Sequence, residues 1–367
     1  MFSKRSIFIL LVFIFVMSLS IISSCKKDSV NNPDEETPPT PTPYTIAKIP
    51  NFRNMPTDPA NPLTVEGIAL GKKLFFDPIL SKDSSISCES CHRKENSFSD
   101  PRRFSMGVDG TMGKRQSMAL VNLAWYDNKF FWDGRVNTLR AQAEKPIEDP
   151  TEMHLPFSEA EHRLQNHPVY VNMFWKAFGT KTVTKELITK AIEQFEKTLI
   201  SYNSKYDKYT RGEIALDTFE LRGLTIFNTE KGDCFHCHTT SELFVHPTQV
   251  FSNNGMDAAA TVDDFVDKGV GSISGIDAEK GKFKIPTLRN LAFTAPYMHD
   301  GRFGSLEEVI DMYNEGFKHS PTVDNILIEK AAVRYENTGE YGLQLSNHEK
   351  ECLKRFLLSL SDSSFVR

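Results

Sequence analysis

The chain has 367 residues, 40% of them hydrophobic and 25% charged, and a net charge of −5. That composition is ordinary for a globular protein and permits a sizeable core. The negative balance is mild and evenly spread, with no basic stripe of the kind that recruits a nucleic acid.

Lys4 and Arg5 precede an apolar run from Ile7 to Ile22, too short and too early for a membrane-spanning anchor, and small residues lead on to Cys25. Residues 1–24 therefore read as a signal peptide. Ile22-Ser23-Ser24-Cys25 resembles the lipobox of bacterial lipoproteins, whose cysteine becomes the acylated amino terminus. The expectation is an exported lipoprotein that faces the periplasm or the cell surface and meets the membrane only through its lipid. Residues 25–45 include Thr37-Pro38-Pro39-Thr40-Pro41-Thr42-Pro43 and nothing to fill a core, so they read as a disordered Pro/Thr-rich tether. From Ile46 about 320 residues remain, enough for two domains of roughly 150 each, which the sequence divides at 46–205 and 206–367.

The six cysteines do not read as a disulfide framework. Beyond Cys25, four of them form two Cys-x-x-Cys pairs, each followed at once by histidine: Cys88-Glu89-Ser90-Cys91-His92 and Cys234-Phe235-His236-Cys237-His238. This is the pattern of c-type haem attachment, in which two thioethers hold the porphyrin and the adjacent imidazole reaches the iron. A zinc site of two knuckles would need neither histidine at that offset, and a redox dithiol would not need two copies. Gly71-x-x-Leu74-Phe75 precedes the first motif and Gly223-x-x-Ile226-Phe227 the second, each closing a helix before a polar turn. This internal duplication places one haem in each half. Leu187, Ile188, Ala191, Ile192 and Phe195 recur at helical spacing and β-like alternation is scarce, so the expected fold is mostly α, two cytochrome c-like haem domains with irregular connecting loops.

Two carboxy-terminal helices carry start signals. Ser305 with Glu308 forms a capping box, after which Leu306, Val309, Ile310 and Tyr313 share one apolar face; Met312 falls toward the edge of that face. Ser346 with Glu349 forms another, followed by a buried stripe of Leu353, Phe356, Leu357 and Leu360. Cys352 reads as a small residue at the edge of the core, without chemistry of its own.

A family resemblance now becomes specific. The run Phe76-Asp77-Pro78-Ile79-Leu80-Ser81, the first haem motif, Phe131-Trp132-Asp133-Gly134-Arg135, Gln142, Pro146-Ile147 and Glu152-Met153 resemble the amino-terminal half of the bacterial dihaem cytochrome c peroxidases and their MauG-like relatives. Pro286-Thr287-Leu288-Arg289-Asn290 and Ala295-Pro296-Tyr297-Met298-His299-Asp300-Gly301 resemble the second half. The match runs in order from about Ile46 to the end.

The resemblance implies an amino-terminal haem on Cys88, Cys91 and His92 that reacts with hydrogen peroxide. It implies a six-coordinate carboxy-terminal haem on Cys234, Cys237 and His238 that relays or stores electrons, with Trp132 between them. Cleaving the peroxide bond requires a proton to move from one oxygen to the other above an open iron face. By resemblance Glu152 moves that proton and Gln142 places the peroxide. Counting along the family motif from His299 puts the distal ligand of the second haem at Tyr313, with Met312, the ligand type of the classical peroxidases, as the alternative. Val108 stands where those enzymes carry a histidine that caps the resting first haem; valine cannot ligate iron, so this haem is expected to be open when oxidised, with Met106 nearby. The family's calcium site maps onto Gln116, where asparagine is usual, and onto the carbonyls of Thr294 and Pro296. His299 is expected near a haem but not as an axial ligand, and His236 has no required role.

The expected activity is peroxide reduction at the first haem, with electrons from a small cytochrome c or copper protein passed through the second. The alternatives are a MauG-like enzyme that oxidises a protein or small-molecule substrate, and a plain electron carrier. A homodimer is compatible with the resemblance.

Overall fold

Ten helices and one minimal sheet carry the regular structure of the residues that the computed structural model describes, which are 37–126, 128–245, 247–248, 250–329 and 342–367. Residues 1–36, which hold the expected signal peptide, Cys25 and most of the expected tether, lie outside them. Among the described residues no helix is long and apolar enough to cross a membrane. Residues 42–44 already lie against the folded chain: the Thr42 N–H donates to the Glu66 carboxylate (2.8 Å) and the Tyr44 N–H to the Leu63 carbonyl (2.9 Å).

Helix α1 (Val65–Phe76) starts where the Thr64 hydroxyl accepts from the Gly67 N–H. It packs against α4 (Pro168–Phe178) and α5 (Lys185–Glu196), with α2 (Leu139–Glu148) and α3 (Phe157–Gln165) completing the layer. Leu70, Leu74, Ile147, Phe174 and Ile188 are fully buried there, each contributing roughly 1.5–3 kcal/mol. The approach of α1 to α5 depends on Gly71, since a β-carbon there would stand 1.8 Å from the Ala191 carbonyl oxygen.

The carboxy-terminal half repeats this device. Helix α6 (Lys205–Thr210) leads to α7 (Thr218–Phe227), which opens with an Asp217/Glu220 capping box. Helix α7 packs against the last helix, α10 (Asn347–Ser359), at Gly223, whose missing β-carbon would lie 2.0 Å from the Cys352 carbonyl oxygen. Both expected capping boxes form, Ser305/Glu308 on α9 (Leu306–Glu315) and Ser346/Glu349 on α10. Leu353, Phe356, Leu357 and Leu360 are buried with Ile226, Phe227 and Ile310, and Cys352 is fully buried among them. Between α7 and α9 come one helical turn, α8 (Gly271–Ser274), and two antiparallel two-residue strands, β1 (Phe251–Ser252) and β2 (Phe283–Lys284). The fold is mostly helical, as expected.

The Pro286–Asn290 run is fixed within the carboxy-terminal half by Arg289 and joined to the amino-terminal half by Asn290. Arg289 makes a buried bidentate pair with Asp207 (2.9 and 3.0 Å), and the Asn290 amide donates to the Ser97 hydroxyl (2.8 Å) while its oxygen accepts from the Asp362 N–H (2.8 Å).

Candidate active site

Each Cys-x-x-Cys-His motif folds as a short 3-10 turn, Cys88–Ser90 and Cys234–His236, closed by a hydrogen bond from the histidine N–H to the first cysteine's carbonyl (2.9 Å in both). None of the described cysteines forms a disulfide. Burial pushes the thiols of Cys88 and Cys91 up, and those of Cys234 and Cys237 to about 12. His92 Nδ1 lies 2.9 Å from the Phe98 carbonyl oxygen and His238 Nδ1 lies 3.0 Å from that of Phe244. Burial holds both imidazoles below the ordinary value, His238 at about 4, so they are neutral. A neutral ring that donates Nδ1–H to a carbonyl keeps its Nε2 lone pair for a metal.

Both motifs open onto one continuous cavity of about 1340 Å³. The donor set at each, two unpaired thiols and one neutral imidazole with a fixed tautomer, fits a covalently attached haem.

Gln142, on α2, and Glu152 face the same cavity. Glu152 is not helical: Asp149, forced into an extended conformation (φ −64, ψ 123) ahead of Pro150, ends α2, and Glu152 sits on the turn that follows. Burial, reinforced by Asp149 and opposed by Arg135, pushes the Glu152 carboxyl from 4.5 up to about 7. The backbone around it is pinned by the loop at 105–110, where the Val108 N–H donates to the Glu152 carbonyl (2.8 Å). Val108 itself lines a smaller adjoining recess, whereas Met106, half exposed, reaches the rim of the large cavity.

Trp132 is buried (8% exposed) and lines the cavity, and its indole N–H donates to the Gln116 carbonyl (2.8 Å). His299 meets it edge-on at 6.5 Å and stacks on Phe283 at 3.5 Å; burial holds its imidazole at about 4. Tyr313 faces the cavity from α9, near enough to Cys234 and Cys237 for their charges to oppose its ionisation, and its hydroxyl accepts from the Asn254 amide (3.2 Å). Met312 is not among the cavity-lining residues. Gln116, Thr294 and Pro296 all line the cavity, and the Gln116 amide donates to the Asp100 carbonyl (3.1 Å). His236 pairs with Asp233 (2.8 Å).

Several groups at the site escaped sequence reasoning. Phe98 and Phe244, whose carbonyls orient the histidines, have left-handed backbones (φ 56 and 52), and each stands six residues after its histidine; that shared spacing was the available signal. Glu196 lies beside Cys88 with one buried oxygen lacking a partner, its carboxyl pushed up to about 8 by burial and by Glu193. Asn254 and Lys284 carry no local signal.

Comparison with known proteins supplies relatives that match most of the chain. The profile of the family described as di-haem cytochrome c peroxidase matches residues 65–215. The methylamine utilization protein MauG of Methylorubrum extorquens is 36% identical over 272 residues, 74% of this chain and 74% of that protein. The cytochrome c551 peroxidase of Nitrosomonas europaea is 37% identical over 268 residues, 70% of this chain and 76% of that protein. Among solved structures, a MauG-like protein associated with microbial copper homeostasis superposes with a TM-score of 0.76 at 30% identity, covering 88% of this chain and 97% of its own.

Proposed function

Since this chain belongs to the dihaem cytochrome c peroxidase and MauG family, and is thereby a peroxidase-type oxidoreductase that uses two haems c, we propose that it reduces hydrogen peroxide above His92 with electrons passed inward from the His238 side. The observation that carries this reading is Glu152, a carboxyl held near neutrality by burial, which opens onto the same cavity as Cys88, Cys91 and His92.

Bound haem supplies the electron transfer to peroxide. Cys88, Cys91 and His92 would hold one group, and Cys234, Cys237, His238 and Tyr313 the other. Glu152 takes the proton of the nearer peroxide oxygen and returns it to the departing one; a pKa near the working pH suits both halves of that transfer. Gln142 orients the peroxide through its amide. Val108, which offers no iron ligand, would not cap a haem held at His92. Trp132 would act as the electron relay between the two sites, a role that its anchoring at both indole N–H and backbone carbonyl supports.

The internal duplication is part of the proposal: the glycine-mediated helix crossings at Gly71 and Gly223 and the paired histidine-to-carbonyl bonds support it. So are the two domains at 46–205 and 206–367. A calcium ion held by Gln116, Thr294 and Pro296, and export as a lipoprotein acylated at Cys25, complete it; metal analysis after chelator treatment and incorporation of labelled palmitate test these two.

Tyr313 favours a second reading. A phenolate ligand stabilises ferric and higher oxidation states where methionine would favour ferrous. That suits a MauG-like enzyme that stores oxidising equivalents for a protein or small-molecule substrate. Steady-state turnover of peroxide with a reduced small cytochrome c or copper protein, beside a search for oxidised partner proteins, separates the readings: rapid donor oxidation supports peroxide reduction, and its absence with a modified partner supports the second.

A further inference from the structure

The cationic side chains that line the cavity are almost all accounted for. Arg115 is paired with Asp133 (2.5 Å) and Asp267 (2.7 Å), Arg135 with Asp133 (3.2 Å), Lys268 with Asp263 (3.1 Å) and Arg289 with Asp207 (2.9 Å), while Lys114 is exposed. Lys284, on β2, is the exception among the described residues. It is 5% exposed, and its Nζ meets the Lys129 carbonyl oxygen (2.5 Å) and the faces of Tyr126 (4.3 Å) and Phe130 (5.4 Å), with no carboxylate of the described residues beside it. Tyr126 does not supply the missing anion, because burial pushes its hydroxyl up and keeps it neutral.

An ammonium taken out of water without an anionic partner is strongly disfavoured, and one carbonyl and two ring faces offset only part of that cost. Burial alone accordingly drags Lys284 down to about 7. The cavity it lines is the one that the two motifs fit for haem, and a haem brings two propionate carboxylates with it.

We propose that Lys284 is the counter-ion of a haem propionate. The inference rests on the reading that covalent haems fill this cavity. Its structural consequence is positional. The Lys284 backbone N–H donates to the Trp132 carbonyl (2.7 Å), and Phe283 beside it stacks on His299, which in turn meets the Trp132 ring. A propionate held at Lys284 is therefore tied to the same strand that seats Trp132, so one residue fixes a haem edge against the relay. Its electrostatic consequence follows from Coulomb's law: a positive charge close to the porphyrin favours the reduced iron, and its removal favours the oxidised one.

The test compares holoenzyme with Lys284→Met and Lys284→Arg, measuring haem content by pyridine haemochrome and both midpoint potentials by spectroelectrochemical titration. The expected result is two haems in all three proteins, a lowered potential of one haem in Lys284→Met, and retention of the wild-type value in Lys284→Arg, which keeps the charge. Two haems with unchanged potentials in Lys284→Met would overturn the assignment while leaving the dihaem reading intact. Fewer than two haems in the wild-type protein would overturn both. Where Lys284→Met fails to accumulate, a crystal structure of the wild-type holoenzyme decides: Nζ within hydrogen-bond distance of a propionate oxygen is expected, and propionates bound elsewhere refute it.

Discussion

Glutamine at position 152 keeps the size of the glutamate side chain and removes its ability to carry a proton. In the folded protein the Glu152 carboxyl lies at about 7 instead of 4.5, chiefly through burial, with Asp149 adding to the shift and Arg135 opposing it. That displacement is worth up to about 3 kcal/mol in favour of the protonated form, an upper bound because the side chain is partly exposed to solvent. Because the folded-state value lies above the unfolded one, the contribution is fully present below pH 4.5 and is lost as pH rises through 7. Glu152→Gln, neutral throughout, is therefore expected to be more stable than wild type at about pH 8, by no more than this amount, and equal to it near the acid end. Activity moves the other way. Between about pH 6 and pH 8 the ionised fraction of Glu152 rises from roughly a tenth to nine-tenths, so the wild-type rate should climb about tenfold, whereas the variant should be flat and about a hundredfold slower. Stopped-flow absorbance of the haem bands after mixing holoenzyme with excess peroxide measures the rate, and denaturant titration measures the stability. A variant as fast as wild type, or a wild-type rate that ignores pH across this range, would refute the assignment of Glu152 as the proton carrier.

Tyr313→Phe is expected to retain two haems and lose the low-spin ferric signal of the second, whereas Met312→Leu should leave it intact, because Tyr313 and not Met312 lines the cavity; electron paramagnetic resonance distinguishes them, and the reverse pattern would restore a methionine-ligated haem. Trp132→Phe keeps an aromatic ring but loses the indole N–H to Gln116, and should slow oxidation of the second haem after peroxide is added without changing haem content. Unaltered transfer would place the electron route elsewhere. Gly71→Ala would drive a β-carbon to 1.8 Å from the Ala191 carbonyl oxygen, so the two helices must separate. A loss of about 1–3 kcal/mol in denaturant unfolding follows from such overpacking, and an unchanged midpoint would show that the crossing is looser than it looks.

Much of this protein was legible as local pattern. The Cys-x-x-Cys-His turns are set by covalent spacing, so Cys88, Cys91, Cys234 and Cys237 stand out with their histidines as candidate haem ligands before any fold is known. The capping boxes at Ser305 and Ser346 form as read, because a cap is satisfied within one turn of chain. The helical face holding Tyr313 likewise follows from the 3.6-residue period alone, and that face does turn to the cavity. Glu152 was less legible: Asp149, extended ahead of Pro150, ends α2 at Glu148, so Glu152 reaches the cavity from a turn and shares no helical face with Gln142. What spacing could not supply was every property created by segments far apart in sequence. The left-handed carbonyls of Phe98 and Phe244 become functional only when the loop folds back on its histidine. Gly71 and Gly223 acquire their reason from helices more than a hundred residues away. The displaced pKa of Glu152 and the burial of Lys284 without a carboxylate among the described residues exist only because tertiary packing removes water from charges whose surroundings no local pattern records.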